Sequence, residues 1–254
     1  MQHAPGSIDG MTTTEKQTVL VTGANKGIGF ETARQLARQG FTVWVGCRDQ
    51  ARGEAAVKEL ADDGDVRLVT LDVTDAESIA AAVVRIGDDA GSLDVLINNA
   101  GVAIGAREGL ASTVDVEVVK ETLEVNLYGA LRVTQAFLPL VRRSQAGRIV
   151  NVSSTMGSLA AAMAPGRPLG PQWAFAYPAS KTALNALTVS LAVELEDTAI
   201  KVNSVCPGYN ATDMNNHQGT QHPSVGAQVV VRAATLPADG PSGTFFDVIG
   251  PVDW

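Results

Sequence analysis

Tyr177 and Lys181 stand four residues apart in a segment, Tyr177–Glu196, whose pattern predicts a helix. At that spacing both side chains share one helix face, where an ammonium favours a phenolate. A free phenol, with a pKa of about 10, is almost always protonated at neutral pH, so it donates a proton readily but serves poorly as a base until a cation lowers its pKa. The pair therefore suits an acid for an oxygen that gains negative charge. Ser153 and Ser154 end the strand pattern Arg148–Val152. Strand side chains alternate between faces, so one serine points into a common site and the other away from it.

A second chemical signal lies near the N-terminus. Thr22-Gly23-Ala24-Asn25-Lys26-Gly27-Ile28-Gly29 joins a strand pattern, Thr18–Thr22, to a helix pattern, Gly27–Gln39. Such a turn aims backbone N–H groups and a helix N-terminus at a pyrophosphate, and glycines allow it to come close. The spacing differs from Gly-x-Gly-x-x-Gly, and the Gly-Lys-Ser/Thr ending of a triphosphate-hydrolysing loop is missing. Asn126 falls inside a long helical pattern over Val116–Arg142, where asparagine adds little to helix stability.

The elements that must position these residues alternate. Strand patterns at Thr18–Thr22, Phe41–Val45, Val66–Leu71, Leu93–Ile97, Arg148–Val152, Ile200–Val205 and Thr244–Phe246 are separated by helix patterns at Gly27–Gln39, Gln50–Ala61, Ala76–Gly87, Val116–Arg142, Tyr177–Glu196 and Val225–Ala234. Near-continuous apolar strands between amphipathic helices predict an α/β fold with a parallel sheet covered on both faces and right-handed crossovers. Two stretches break the rhythm, Thr155–Ala176 and Tyr209–Ser224. Both follow strands at their carboxyl ends, the rim where open parallel sheets bind ligands, so both read as walls of a site.

Composition narrows the classes. Of 254 residues 45% are apolar and 18% charged, enough for a full core, and 19 Lys+Arg against 27 Asp+Glu leave a net charge of −8, which disfavours nucleic acid. No apolar run has membrane-spanning length and the N-terminus lacks a signal-peptide centre, so a cytoplasmic protein without a membrane partner is expected. Residues 1–11, with Pro5, Gly6 and Gly10, read as a flexible leader before a single domain over 12–254. Cys47 and Cys206 end apolar runs and cannot form a disulfide framework. His217 and His222, five apart without a third ligand, read as loop histidines rather than metal ligands.

The turn Thr22–Gly29, Asn98-Asn-Ala-Gly101, Asn126 in Val-Asn-Leu-Tyr-Gly, Ser153-Ser154, Tyr177-Pro-Ala-Ser-Lys181 and Pro207-Gly208 together resemble the short-chain dehydrogenase/reductases, in the family's order from about Thr18 to the C-terminus. Thr22–Phe30 and Cys206–Met214 are most similar to carbonyl-reductase-like members. The resemblance implies a single Rossmann-type, doubly wound domain with a seven-stranded parallel sheet flanked by helices. It implies a catalytic group of Asn126, Ser154, Tyr177 and Lys181, with Ser154 holding the substrate oxygen, Lys181 holding the nicotinamide ribose, and Asn126 at a helix irregularity that holds a proton-relaying water. It also implies a cofactor site formed by Gly23, Asn25, Lys26, Gly27, Ile28 and Gly29, by Arg48, by Asp72 and Val73, by Asn99, Ala100 and Gly101, by Tyr177 and Lys181, and by Pro207, Gly208 and Thr212.

Val45-Gly46-Cys47-Arg48 ends the second strand without the acid that accepts the ribose hydroxyls of NAD. Arg48 and Lys26 instead suit a 2′-phosphate, and the expected cofactor is NADP(H). The expected reaction is reduction of an aldehyde or ketone, or its reverse. A sugar-nucleotide epimerase or dehydratase and a nucleotide-sensing regulator are the alternatives, the first disfavoured by its glycine spacing, the second by the intact Tyr-x-x-x-Lys. Ser154 and Tyr177 are 23 positions apart, longer than in ordinary members, so Thr155–Ala176 holds an insertion. Its Met156, Met163, Trp173 and Phe175 line an apolar substrate pocket or pack within the loop, and both readings stay open. The family usually forms homodimers or homotetramers. An insertion covering the shared helical face leaves a monomer open too.

Overall fold

Seven short strands, β1 (Thr18–Thr22), β2 (Thr42–Cys47), β3 (Val66–Thr70), β4 (Val95–Asn98), β5 (Arg148–Val152), β6 (Lys201–Val205) and β7 (Thr244–Phe246), form one sheet in the order β3-β2-β1-β4-β5-β6-β7. Every neighbouring pair is parallel. This is a computed structural model, and it describes residues 16–166 and 174–254. The expected leader at 1–11 lies outside them, as does Trp173.

The strands are apolar on both faces because both are covered. On one side α1 (Gly27–Arg38), α2 (Gln50–Glu59) and α8 (Pro223–Ala234) pack on Val19, Val21, Val43, Val45, Val95 and Ile97. On the other, α3 (Ala76–Ala90), α5 (Ala130–Val141) and α7 (Ala176–Glu194) pack on Leu20, Trp44, Leu96, Ile149 and Val202. Asp49, Asp75 and Asp115 cap α2, α3 and α4 (Val116–Leu123) by accepting backbone N–H bonds in the first turn. No helix among the described residues is long and apolar enough to cross a membrane.

The strand order reverses between β1 and β4. Ligands of open α/β sheets bind at that switch point, outside the carboxyl ends of the strands. Cys47 and Cys206 are buried free thiols. Four strand-to-strand steps separate β2 from β6, roughly 19 Å at about 4.8 Å each, far beyond disulfide reach.

One element breaks the expected helical pattern, at the irregularity that the resemblance implies for Asn126. The single helix expected over Val116–Arg142 is interrupted by a π turn, Glu124–Gly129, between α4 and α5. Asn126 explains it. Its carboxamide oxygen accepts the Val102 N–H at 2.8 Å, and its amide donates to the Val102 carbonyl and the Ser180 hydroxyl, each at 2.9 Å. Satisfying three partners on two other segments needs the extra residue per turn that a π turn supplies.

Candidate active site

Thr22, at the end of β1, ties the two central strands together. Its hydroxyl donates to the Ile97 carbonyl and accepts the N–H groups of Asn99 and Ala100 at 3.0 and 2.9 Å. The Asn99 amide returns to the Thr22 and Gly23 carbonyls. This brings Asn99, Ala100 and Gly101 against the glycine turn. Gly23 and Gly27 have φ of +64° and +60°, conformations costly for other residues, and a Cβ on Gly29 would lie 2.4 Å from the Asn99 amide nitrogen. Asn25 and Ile28 complete the turn, Ile28 packing into the core below. Helix α1, unlike α2, α3 and α4, has no side-chain cap, and its first turn holds no acid. Its N-terminal donors suit an anion.

Around this turn stand the other nucleotide-side residues. Arg48 is exposed just beyond β2 and makes no salt bridge among the described residues. Burial alone would raise the Asp72 carboxyl, but Thr74, through its N–H and hydroxyl, and the nearby Arg48 charge bring its pKa below the ordinary value. Val73 is buried against Gly129. Thr212 faces the turn, its methyl 3.4 Å from where a Gly27 Cβ would stand. The Pro207 carbonyl accepts amide N–H bonds from Asn210 and Gln221, and Gly208 has φ of +80° where a Cβ would meet Gln221.

Lys26 does not stand free opposite Arg48. It pairs with Asp213 at 2.6 Å, and Asp213 also contacts His217 at 3.0 Å. These bonds, with that of Lys26 first, hold the Asp213 carboxyl below its ordinary pKa. The other loop histidine, His222, accepts the Ser224 N–H at the start of α8.

Tyr177 stands at the second position of α7, beside Ser154 and one turn before Lys181. The Lys181 side chain is 4% exposed; its Nζ donates to the Val152 carbonyl at 2.9 Å and lies 5.6 Å from the Tyr177 ring centre. A Cβ on Gly101 would stand 3.3 Å from the Asn126 carboxamide oxygen and 3.5 Å from Lys181 Nζ, so that glycine lets the strand end approach both. Ser154 accepts the Met156 N–H at 3.2 Å and hydrogen-bonds toward the phenol, whereas Ser153 is buried and reaches the Lys181 carbonyl. Both serines therefore reach α7, Ser154 at the Tyr177 side chain and Ser153 at the Lys181 backbone. Asn126, only 1% exposed, joins the group through Ser180, whose hydroxyl donates to the Tyr177 carbonyl at 2.7 Å.

The electrostatics depart from the expectation that Lys181 lowers the phenol. Tyr177 keeps part of its surface open, yet desolvation pushes its pKa well above the ordinary value, Cys206 and Glu108 push the same way, and Ser154 alone opposes them. Desolvation also brings Lys181 down to about 8, with Cys206 opposing. Burial is the largest cause of both shifts.

Two residues of this site escaped the sequence reading. Glu108 and Asp213 are acids within irregular segments, and no periodicity or spacing marks them. Of the apolar residues read in the insertion, Met163 is 79% exposed on α6 (Leu159–Met163) and Phe175 is 40% exposed.

A family model described as short chain dehydrogenase matches residues 17–223. The (+)-neomenthol dehydrogenase of Capsicum annuum is 33% identical, over 92% of this chain and 96% of its own. Salutaridine reductase of Papaver bracteatum is 36% identical, over 93% and 96%. The pepper alignment spans 311 positions, more than the 254 residues available here, so that relative carries segments this chain lacks. Among solved structures, an NADPH-bound carbonyl reductase from chicken fatty liver superposes with a TM-score of 0.82 at 28% identity, covering 94% of this chain and 99% of the other. The seven-stranded parallel sheet, the glycine turn at its switch point and the match over residues 17–223 agree: the chain belongs to the short-chain dehydrogenase/reductase family of oxidoreductases.

Proposed function

We propose that the protein reduces an aldehyde or ketone to an alcohol with NADP(H), and catalyses the reverse oxidation. The observation that carries this reading is Tyr177 placed between Ser154 and Lys181 at the carboxyl rim of the sheet, on the same rim as the glycine turn.

The residues present fit a phosphorylated dinucleotide. The uncapped start of α1 and the positive-φ glycines suit the pyrophosphate, Asp72 and Val73 border the adenine side, and Arg48 is free to meet a 2′-phosphate. A related solved structure holds NADPH. Lys181, after its bond to Val152, keeps N–H donors for ribose hydroxyls. When bound, the reduced nicotinamide supplies a hydride for the carbonyl carbon.

The chain's own groups manage the proton. Ser154 donates a hydrogen bond to the carbonyl oxygen. As negative charge develops there, Tyr177 transfers its phenolic proton to it, leaving a phenolate that is re-protonated from solvent. Its raised pKa keeps Tyr177 protonated through neutral pH, the form that reduction consumes. Asn126, bridging Val102 and Ser180, fixes the strand end and the helix start relative to each other.

The test is a panel of aldehydes, ketones and secondary alcohols followed by the ultraviolet absorbance of the reduced nicotinamide, run with NADPH and with NADH. Turnover with NADPH is expected on some carbonyl compounds. Cofactor binding without turnover on any of them favours the regulatory reading, and a clear preference for NADH removes the assignment of Arg48.

A further inference from the structure

Helix α7 carries Tyr177 at its second position and lacks a cap of its own. Phe175 offers no capping side chain, and Pro178 has no N–H. The missing acceptors come from the segment that follows β4. The Gly109 carbonyl takes the Phe175 N–H at 3.0 Å, and the Glu108 carboxylate, which accepts the Ile104 N–H at 3.2 Å, faces the backbone N–H of Tyr177. Glu108 is half-buried, and the neighbouring Arg107 is taken by Glu121 at 2.9 Å. No cation pairs with Glu108 among the described residues.

We propose that Glu108 is a positioning residue for Tyr177: its carboxylate supplies the cap that α7 lacks and holds a negative charge beside the phenol. The inference rests on Tyr177 acting as the proton donor. Among the described residues, four groups stand near that phenol: Lys181 from its own helix, Cys206 after β6, Ser154 after β5 and Glu108 after β4. A carboxylate close to an ionising phenol disfavours the phenolate, so Glu108 maintains Tyr177 as an acid and hinders its use as a base. Burial raises the carboxyl above its ordinary pKa, and the Ile104 and Tyr177 N–H groups oppose that rise. One charge therefore biases the shared site toward carbonyl reduction.

Glu108→Gln separates charge from geometry, because the carboxamide oxygen still accepts the Ile104 N–H and faces that of Tyr177. The readout is the pH profile of alcohol oxidation with NADP+, using the product of the best carbonyl substrate, for wild type, Glu108→Gln, Glu108→Asp, Glu108→Ala and Tyr177→Phe. Oxidation needs the phenolate, so its rate rises with pH. Removing the negative charge moves this rising limb to lower pH by roughly half a unit to one unit, the size of one unit charge acting through protein at moderate range. Glu108→Asp restores the wild-type position. Glu108→Ala moves the limb and also lowers Tm. A Glu108→Gln limb that coincides with wild type, with rates merely reduced at every pH, overturns the proposal while Tyr177→Phe stays inactive. Activity retained by Tyr177→Phe instead overturns the proton-donor reading, and the role of Glu108 falls with it.

Discussion

The nucleotide half and the substrate half of the carboxyl rim are built differently. Around β1 and β4 the backbone is locked by Thr22 and Asn99, and glycines stand where a Cβ would strike backbone or the Asn99 amide at 2.4–3.0 Å. The segments after β4, β5 and β6 expose large apolar side chains, including Leu110, Met163, Phe175, Tyr209 and Met214. A pyrophosphate is the same in every dinucleotide, so a rigid cradle suffices. Substrates vary, and a wall of apolar side chains on long segments changes its occupant without disturbing the sheet.

The strongest way to break this comparison is at the point where the halves meet. Tyr177→Phe removes the proton but keeps the ring, so kcat should fall by at least about 10²–10⁴-fold while NADPH still binds. Ser154→Ala should follow it. Ser153→Ala, removing only a 3.5 Å bond to the Lys181 backbone carbonyl and none to the phenol, should be mild. Equal losses from the two serines in a kinetic comparison would undo the assignment of Ser154 alone to the site.

Rigidity of the cradle is tested next. Gly29→Ala forces a methyl to within 2.4 Å of the Asn99 amide and 2.8 Å of the Gly23 carbonyl, so NADPH affinity should fall at least about tenfold and stability by about 1–3 kcal/mol. Met163→Ala in the substrate half should leave Tm and NADPH affinity alone and change only the KM of bulky substrates. Calorimetry of NADPH binding that finds the two variants equivalent would erase the contrast. Arg48→Ala sharpens it further. Loss of charge-assisted bonds of about 1.5–3 kcal/mol should raise the KM for NADPH at least tenfold and leave NADH nearly unchanged.

Both the sheet and the nucleotide half are legible in the sequence, because close packing restricts residue type there: apolar strands buried on two faces and glycines at backbone contacts leave repeating marks. The π turn at Glu124–Gly129 leaves no mark in the periodicity, since its apolar spacing continues that of α4 and its cause lies in bonds to Val102 and Ser180, 24 and 54 positions away; only the family resemblance points to an irregularity at Asn126. Glu108 is equally hidden. Its significance depends on a segment folding back onto the start of α7, which an irregular stretch does not announce. Lys26 shows the limit most plainly. Its position in the turn is readable, but its partner Asp213 lies 187 residues on, ahead of Asn216 and His217, which adopt left-handed conformations with φ of 52° and 60°.

That ion pair crosses between the halves, and it carries the smallest expected effect. Lys26 belongs to the cradle and Asp213 to the segment beyond Thr212, which lies against Gly27. Both side chains are more than half exposed, so the pair adds little stability and is screened by salt. Its consequence is competitive: a 2′-phosphate reaching for Lys26 must displace the carboxylate. Asp213→Asn should therefore tighten NADPH by up to about threefold at low salt, leave NADH unchanged, and lose its advantage near 1 M salt, where the Debye length is only about 3 Å. Lys26→Ala should weaken NADPH, and in that background the Asp213 change should have no further effect. Titrations of the two single variants and the double variant at two ionic strengths decide it. Looser binding in Asp213→Asn at low salt would mean that the carboxylate holds Lys26 in place for the nucleotide rather than competing with it.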